Sequence, residues 1–479
     1  MKGKTLMIQG TASSVGKSLV ATALCRIFAR RGLSVAPFKA QNMALNSAAT
    51  PDGGEIGRAQ FAQAEAARVR PHVDMNPILL KPETLSASQV VVLGRPIGSM
   101  HFAEYHRRKP ELRDVVGAAL DRLRAAHDLV ILEGAGSPAE VNLKDRDLVN
   151  MWVAARAEAP VVLVTDIERG GALAALVGTL ALLDDDERGR VGALVVNKFR
   201  GDPALFAGGV TFLEERTGVR VAGVVPHLAD HNIAPEDSLD LDPTRRTDGA
   251  RDIAIIKLPR LSNFDEFDGL PGARWIERPA QIGDAALVIV PGTKCTADDL
   301  GWLRRQGLAG ALVERAGSGG QVLGICGGYQ MLGERILDPE GVESREPDVA
   351  GLGLLPVVTR FAREKVTEPV RLRLGDGVPL CDAAGGREVG GYEIHCGRVA
   401  RHGARPFGMV VRRGEATVEE GEGAILGSVA GTLVHGLFQD PLIRATLGGG
   451  PGARDPYEAL ADHFEAALDM QHLARMAGL

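Results

Sequence analysis

The chain has 479 residues, 55 Lys and Arg against 61 Asp and Glu, a formal charge of −6 and 45% apolar residues. That length predicts two or three domains, the composition excludes a disordered chain, and the mildly acidic balance excludes nucleic acid as the main partner. Sixty glycines beside only 4% aromatics point to tight turns and to loops where backbone approaches a ligand.

The first ~225 residues alternate short apolar runs with helical patterns. Strands are predicted at Thr5–Gln9, Ser34–Pro37, Leu129–Leu132, Pro160–Thr165, Gly192–Asn197 and Gly218–Val225. Between them lie helices such as 17–31, where Leu19, Val20, Ala23, Leu24, Ile27 and Phe28 line one face and Gly32 closes the turn. Apolar strands separated by amphipathic helices mean a parallel sheet covered on both faces. The longest apolar stretch, Gly171 to Leu183, is too short to cross a bilayer, and the apolar run in MKGKTLMIQG is too short for a signal peptide.

The polar, proline-bearing segment 229–250 reads as a connection. A second α/β series follows, with strands at Asp252–Lys257, Ala286–Val290 and Val322–Ile325 and a run of short strands through Thr432–His435; a helix is expected over 456–476. The predicted organisation is therefore two α/β domains, 1–228 and 251–443, with a helical tail at 444–479.

The segment from Gly10 to Gly16-Lys17-Ser18 follows the first strand and opens the first helix, the context of a phosphate loop. Backbone N–H groups at a helix start attract anions, Lys17 would meet the β/γ-phosphates of ATP, and Ser18 would ligate Mg²⁺. Five residues separate the two glycines where the common loop has four. Glu133 ends the strand DLVILE before Gly134 and Gly136, at the carboxyl edge where open α/β sheets bind ligands, and suits a Mg²⁺ ligand. Asp166 ends the next strand as either a metal ligand or a helix cap, and Asn197-Lys198 is placed for base recognition.

Gly324-Ile-Cys326-Gly327-Gly328 has the form of a nucleophile elbow with cysteine in place of serine. The helix start lowers the thiol pKa, and His435, ending a later strand, is the natural general base. Backbone N–H groups of Gly292 and Gly327 would form an oxyanion hole, unless the loop at Gly292 is an ordinary strand exit. The other cysteines, Cys25, Cys295, Cys381 and Cys396, are scattered without a CxxC pair. No disulfide framework or structural zinc is expected from them, and a soluble cytoplasmic protein with no membrane partner fits.

With these motifs quoted, the second domain resembles the cysteine–histidine glutamine amidotransferases, and the first resembles dethiobiotin synthetase, whose phosphate loop is widened in the same way. The combination is characteristic of the cobalamin-pathway amidotransferases. Among them the cobyric acid synthase family matches best, over essentially the whole chain, through QGTASSVGKS, PFKAQNMALNS, PDGGEIGRAQ, MNPILLKP, LEGAGSPAEVNL, DIERGGALA, NKFRGD, LSNFDEFDGL, GICGGYQMLG and GYEIHCGRV. The resemblance implies Cys326 and His435 as nucleophile and base, Lys17, Ser18 and Glu133 at nucleotide and metal, and Glu55 as a second metal acid. It also implies ATP and Mg²⁺, glutamine as nitrogen donor, a corrinoid substrate, and amidation of carboxylates b, d, e and g of adenosylcobyrinic acid a,c-diamide.

Ammonia at neutral pH is mostly ammonium, a non-nucleophile, so a sheltered route for it is expected. Many amidotransferases carry a glutamate two residues after the histidine; here that position is Leu437, so a triad acid is absent or elsewhere. The nearest rival is the related synthase that amidates carboxylates a and c. A partitioning-type ATPase is a rival of another class, but its signature lysine after the first loop glycine is Thr11 here. Few aromatics mean that stacking is not the main way this chain holds a macrocycle; polar and backbone contacts are expected instead.

Overall fold

A computed structural model describes residues 2–84, 86–228, 247, 249, 251–268, 270–379, 384–447 and 455–479. The predicted connection at 229–250 therefore lies, apart from 247 and 249, outside the described residues, as does Cys381. The chain forms two compact units: Met1–Met43, Ala59–Asn232 and Arg454–Leu479 make the first, Ala44–Arg58 and Ile233–Ala453 the second. The compact units interleave along the chain in two places. An early segment, 44–58, belongs to the second unit, and the tail belongs to the first.

The first unit is built on a six-stranded sheet whose paired neighbours all run parallel. Its order is Val221–Pro226, Val191–Phe199, Val161–Asp166, Lys4–Gly10, Leu129–Glu133 and Val35–Phe38. Runs such as LVILE and VVLVTD are buried at every position, as strands covered on both faces must be. Lys4–Gly10 lies inside the sheet, so the loop that follows it opens at the carboxyl edge.

The helix Lys17–Arg30 is buried around most of its circumference, not only along the predicted face. The reason is the tail, which forms two helices, Pro456–Ala467 and Met470–Ala477, the first of them packed on Lys17–Arg30. Arg26, 3% exposed, reaches Asp455 at 2.9 Å and Glu458 at 3.4 Å. Phe464 and Leu460 are 1% exposed in the same layer. Phe464→Ala should destabilise the first unit by about 3–5 kcal/mol through lost burial and the cavity left behind. The check is urea denaturation followed by a probe in that unit, where an unchanged midpoint would contradict the packing role.

In the second unit, five strands run parallel in the order Ala273–Ile276, Ile253–Ile256, Leu287–Val290, Gln321–Ile325 and Val429–Thr432, with Ala424–Leu426 antiparallel at the edge. A second sheet is organised around Val357–Leu374 and Glu388–Arg401, strands of 18 and 14 residues, not the short strands expected. Their alternation is broken by an irregularity between Phe361 and Val366, which hides the length from a period-two reading. Segment 44–58 contributes a small hairpin, Ser47–Ala49 paired with Glu55–Gly57. No helix among the described residues is long and apolar enough to cross a membrane.

Candidate active sites

The sharp turn after Gln321–Ile325 places Cys326 at φ 50°, ψ −110°, a strained conformation for a side chain with a Cβ. Such strain is characteristic of an elbow that lifts a nucleophile off a strand end. Two close approaches enforce it. A Cβ on Gly328 would lie 1.9 Å from the Val290 carbonyl oxygen, and one on Gly324 would lie 2.6 Å from the backbone of Tyr329. The Cys326 N–H donates to the Thr432 carbonyl at 2.7 Å, tying the elbow to the strand that leads to His435. The thiol sulfur lies 3.7 Å from the Ile394 carbonyl oxygen.

His435 is 1% exposed. Its Nδ1 lies 2.8 Å from Oε1 of Glu266, and the other carboxylate oxygen of Glu266 accepts from the Gly436 N–H at 3.0 Å. A carboxylate receiving Nδ1–H fixes the tautomer and turns Nε2 toward the thiol, with which His435 also hydrogen-bonds. Burial opposes the imidazolium, but Cys326 and the Glu266 carboxylate beside it overcome that and raise the His435 pKa to about 10. The ring stacks on Tyr392 at 5.4 Å between centroids and 18° between planes. A Cβ on Gly292 would meet His435 Cε1 at 2.8 Å, so glycine there makes room for the base. By contrast, burial raises the pKa of the Cys25, Cys295 and Cys396 thiols, which keeps them protonated and inert.

In the first unit, Gly16 adopts φ 99° at the head of Lys17–Arg30, and a Cβ there would lie 2.1 Å from Asn197 Nδ2. Asn197 donates to the Val15 carbonyl at 2.9 Å and so pins the loop. At Gly10, a Cβ would meet Val15 at 2.6 Å. Lys17 Nζ donates to the carbonyls of Ala12, at 2.9 Å, and Gly136, at 3.1 Å, and so bridges the loop to the turn after Glu133. Ser18 donates to Glu133 Oε1 at 2.9 Å.

Two family models match the chain: a CobQ/CobB/MinD/ParA nucleotide binding domain over residues 6–241, and a CobB/CobQ-like glutamine amidotransferase domain over residues 252–442. A cobyric acid synthase of Sorangium cellulosum (strain So ce56) is 54% identical over 100% of this chain and 99% of its own length. The chain belongs to the cobyric acid synthase family. Further relatives of that name are 46% identical in Dehalococcoides mccartyi (strain ATCC BAA-2266 / KCTC 15142 / 195), over 98% of this chain and 97% of theirs, and 50% identical in Moorella thermoacetica (strain ATCC 39073 / JCM 9320), over 92% and 87%. As a family member it is a glutamine-hydrolysing ligase that forms amides in cobalamin biosynthesis, uses ATP and takes a corrinoid substrate.

For this cobyric acid synthase family member, the structure supplies a carboxylate that the sequence reading did not find. Glu266 sits in the turn Phe264–Phe267, far upstream of His435 in the chain. Asp265 in the same turn is held by Arg58 at 2.7 Å, Asn46 Oδ1 accepts from the Phe264 N–H at 3.2 Å, and Asn263 Oδ1 accepts from the Ser47 N–H at 3.1 Å. Segment 44–58 thereby buttresses the turn that presents the acid. The signal available in the sequence was the motif LSNFDEFDGL, in which three acids are interleaved with two phenylalanines.

Lys39 and Gln63 were also missed. Their Nζ and Nε2 reach Glu133 at 2.9 Å and 2.5 Å from buried positions. Glu55 lies in the second unit. There the hairpin brings it to Ser47 Oγ at 2.7 Å and into an ion pair with Lys365. Asp166 caps its own turn through the Glu168 N–H at 2.7 Å and pairs with Lys198 at 2.9 Å.

Ser18 and Glu133 are hard oxygen donors side by side at the sheet's carboxyl edge, which fits Mg²⁺. No group of three or more His, Cys, Asp or Glu that could hold a metal occurs among the described residues. The ion would therefore share its coordination between this pair, phosphate oxygens and water.

Proposed function

We propose that the chain converts adenosylcobyrinic acid a,c-diamide to adenosylcobyric acid by amidating carboxylates b, d, e and g. Cys326 attacks the side-chain amide carbon of glutamine, and His435 Nε2 gives its proton to the departing nitrogen, releasing ammonia. Water then cleaves the thioester to glutamate. Glu266 keeps the imidazole oriented and compensates its charge, and the N–H groups of Gly292 and Gly327 face the developing oxyanion.

In the first unit a corrinoid carboxylate oxygen attacks the γ-phosphorus of ATP and ADP departs as the β,γ-bridging P–O bond breaks, giving an acyl phosphate, with Lys17 and the loop amides taking up charge on the transferred group. Ser18 and Glu133 would hold Mg²⁺, which would supply further neutralisation at the phosphates. Ammonia then displaces phosphate to leave the amide. The observation that carries this reading is that one chain holds both a Cys326–His435–Glu266 array and a Lys17–Ser18–Glu133 phosphate cradle. Incubation with ATP, glutamine and the diamide, followed by mass analysis, tests it. Four amidations of the diamide support the proposal; two on the hexaacid, with none on the diamide, favour the a,c-diamide reaction instead.

Glu266→Gln should lower the glutaminase kcat by about 10–100-fold with KM nearly unchanged, because the glutamine amide can still touch the ring but no longer compensates its charge. The carboxylate raises the His435 pKa, so its loss should move the alkaline limb of the pH profile downward. An unshifted limb would show that Glu266 only packs.

A further inference from the structure

The strand Glu388–Arg401 has two faces, and the catalytic chemistry uses one. Tyr392 pairs with His435 across the sheet and stacks on it, while alternation sends Glu393 and His395 to the opposite side. There the second unit has a polar cavity of about 580 Å³, lined by Glu393, His395, Arg401, Arg413 and Glu422 and floored by Tyr329 and Leu433. Neither Cys326, His435 nor Gly292 lines it.

The bonding pattern of its walls specifies what would fill it. His395 is 9% exposed, and its Nδ1 lies 2.8 Å from the Gly397 carbonyl. A carbonyl only accepts, so Nδ1 carries the hydrogen and Nε2 presents a bare lone pair. That Nε2 is buried without a hydrogen-bond partner among the described residues. Burial holds the His395 pKa down to about 4, so the lone pair persists at neutral pH. A ligand must therefore bring a donor.

The cationic side of the cavity asks for the opposite group. Arg413 is compensated by Glu393 at 3.1 Å and Glu420 at 2.6 Å. Arg401 instead donates to the Gly423 carbonyl at 2.6 Å, with no carboxylate within ion-pair distance among the described residues. It is placed to receive a carboxylate. Glu422 accepts from Thr432 Oγ1 and the Leu433 N–H at 2.6 Å each, and burial pushes its pKa up to about 7. An acceptor at His395 and a guanidinium at Arg401 without a carboxylate partner among the described residues describe an α-amino acid held by its ammonium and a carboxylate.

We infer that this cavity is a second amino-acid site and that L-glutamate, the product of the glutaminase half-reaction, occupies it, with its ammonium on His395 Nε2 and a carboxylate on Arg401. The choice of ligand rests on the glutaminase reading; the cavity chemistry does not. Because Glu422 holds Thr432 and Leu433 immediately ahead of His435, occupancy acts on the base from behind. Glutamate should therefore lower the glutaminase kcat without raising KM for glutamine, whereas product returning to the glutamine site would raise KM.

The experiment is calorimetric titration of L-glutamate into the full chain after a glutamine-like diazoketone has alkylated Cys326 and filled the glutamine site. Heat of binding should persist, and Arg401→Gln and His395→Phe should each weaken it at least about tenfold while glutaminase activity without added glutamate is kept. Two substitutions are needed because His395 is buried and its variant could lose folding. Binding only to the unalkylated chain, no binding at all, or undiminished binding to Arg401→Gln would each overturn the inference. Failure of the diazoketone to label Cys326 would instead count against the glutaminase assignment itself.

Discussion

With Cys326 replaced by alanine, glutamine-dependent amidation should fall by at least about 10⁴-fold, because the covalent route disappears along with the nucleophile. Amidation from added ammonium salt should survive, since it needs only the phosphorylated carboxylate made in the first unit. The surviving rate should climb with pH as more ammonia is unprotonated. The side chain removed is small and the backbone strain at φ 50° is already accommodated, so the fold should tolerate the change. Loss of both nitrogen sources together would contradict the separation of glutaminase and ligase chemistry.

Lys17→Ala should produce the complementary defect, with amidation falling about 10²–10³-fold from glutamine and ammonium alike, the usual cost of one preorganised donor at a developing charge. Lys17 is 7% exposed, and its ammonium bridges Ala12 and Gly136. Removing it takes away both a charge for the phosphates and a clasp across the loop. Glutaminase activity serves as the folding control. A variant that amidates at the normal rate from ammonium would remove Lys17 from the phosphate site.

The parallel sheet of the first unit was legible because its strands are uninterrupted apolar runs and its turns carry glycine. Cys326, His435, Lys17, Ser18 and Glu133 were legible because each stands at a strand end or helix start, where local geometry and chemistry coincide. Glu266 was not legible. Its partner His435 is 169 residues away, and no spacing rule connects a short turn to a histidine that only tertiary folding brings near. Glu55, an acid in a glycine-rich turn, is read from sequence as a ligand, and its contacts to Ser47 and Lys365 depend on tertiary folding that sequence spacing does not show. The near-complete burial of Lys17–Arg30 depends on a tail more than 400 residues downstream, and a helical wheel carries no information about it.

The exchange of segments between the units, with 44–58 counted in the second and the tail in the first, bears on how the protein is made. During synthesis the sheet around the phosphate loop emerges early, yet the layer that covers Lys17–Arg30 is translated more than 400 residues later. At roughly 5–20 residues per second, the ribosome needs on the order of half a minute to a minute and a half to deliver Phe464 after the loop has appeared. Until then the outer face of that helix lacks its cover, and Arg26 lacks Asp455 and Glu458. Cutting the gene at the connection would not yield two self-sufficient proteins. Each product would lack a piece encoded in the other.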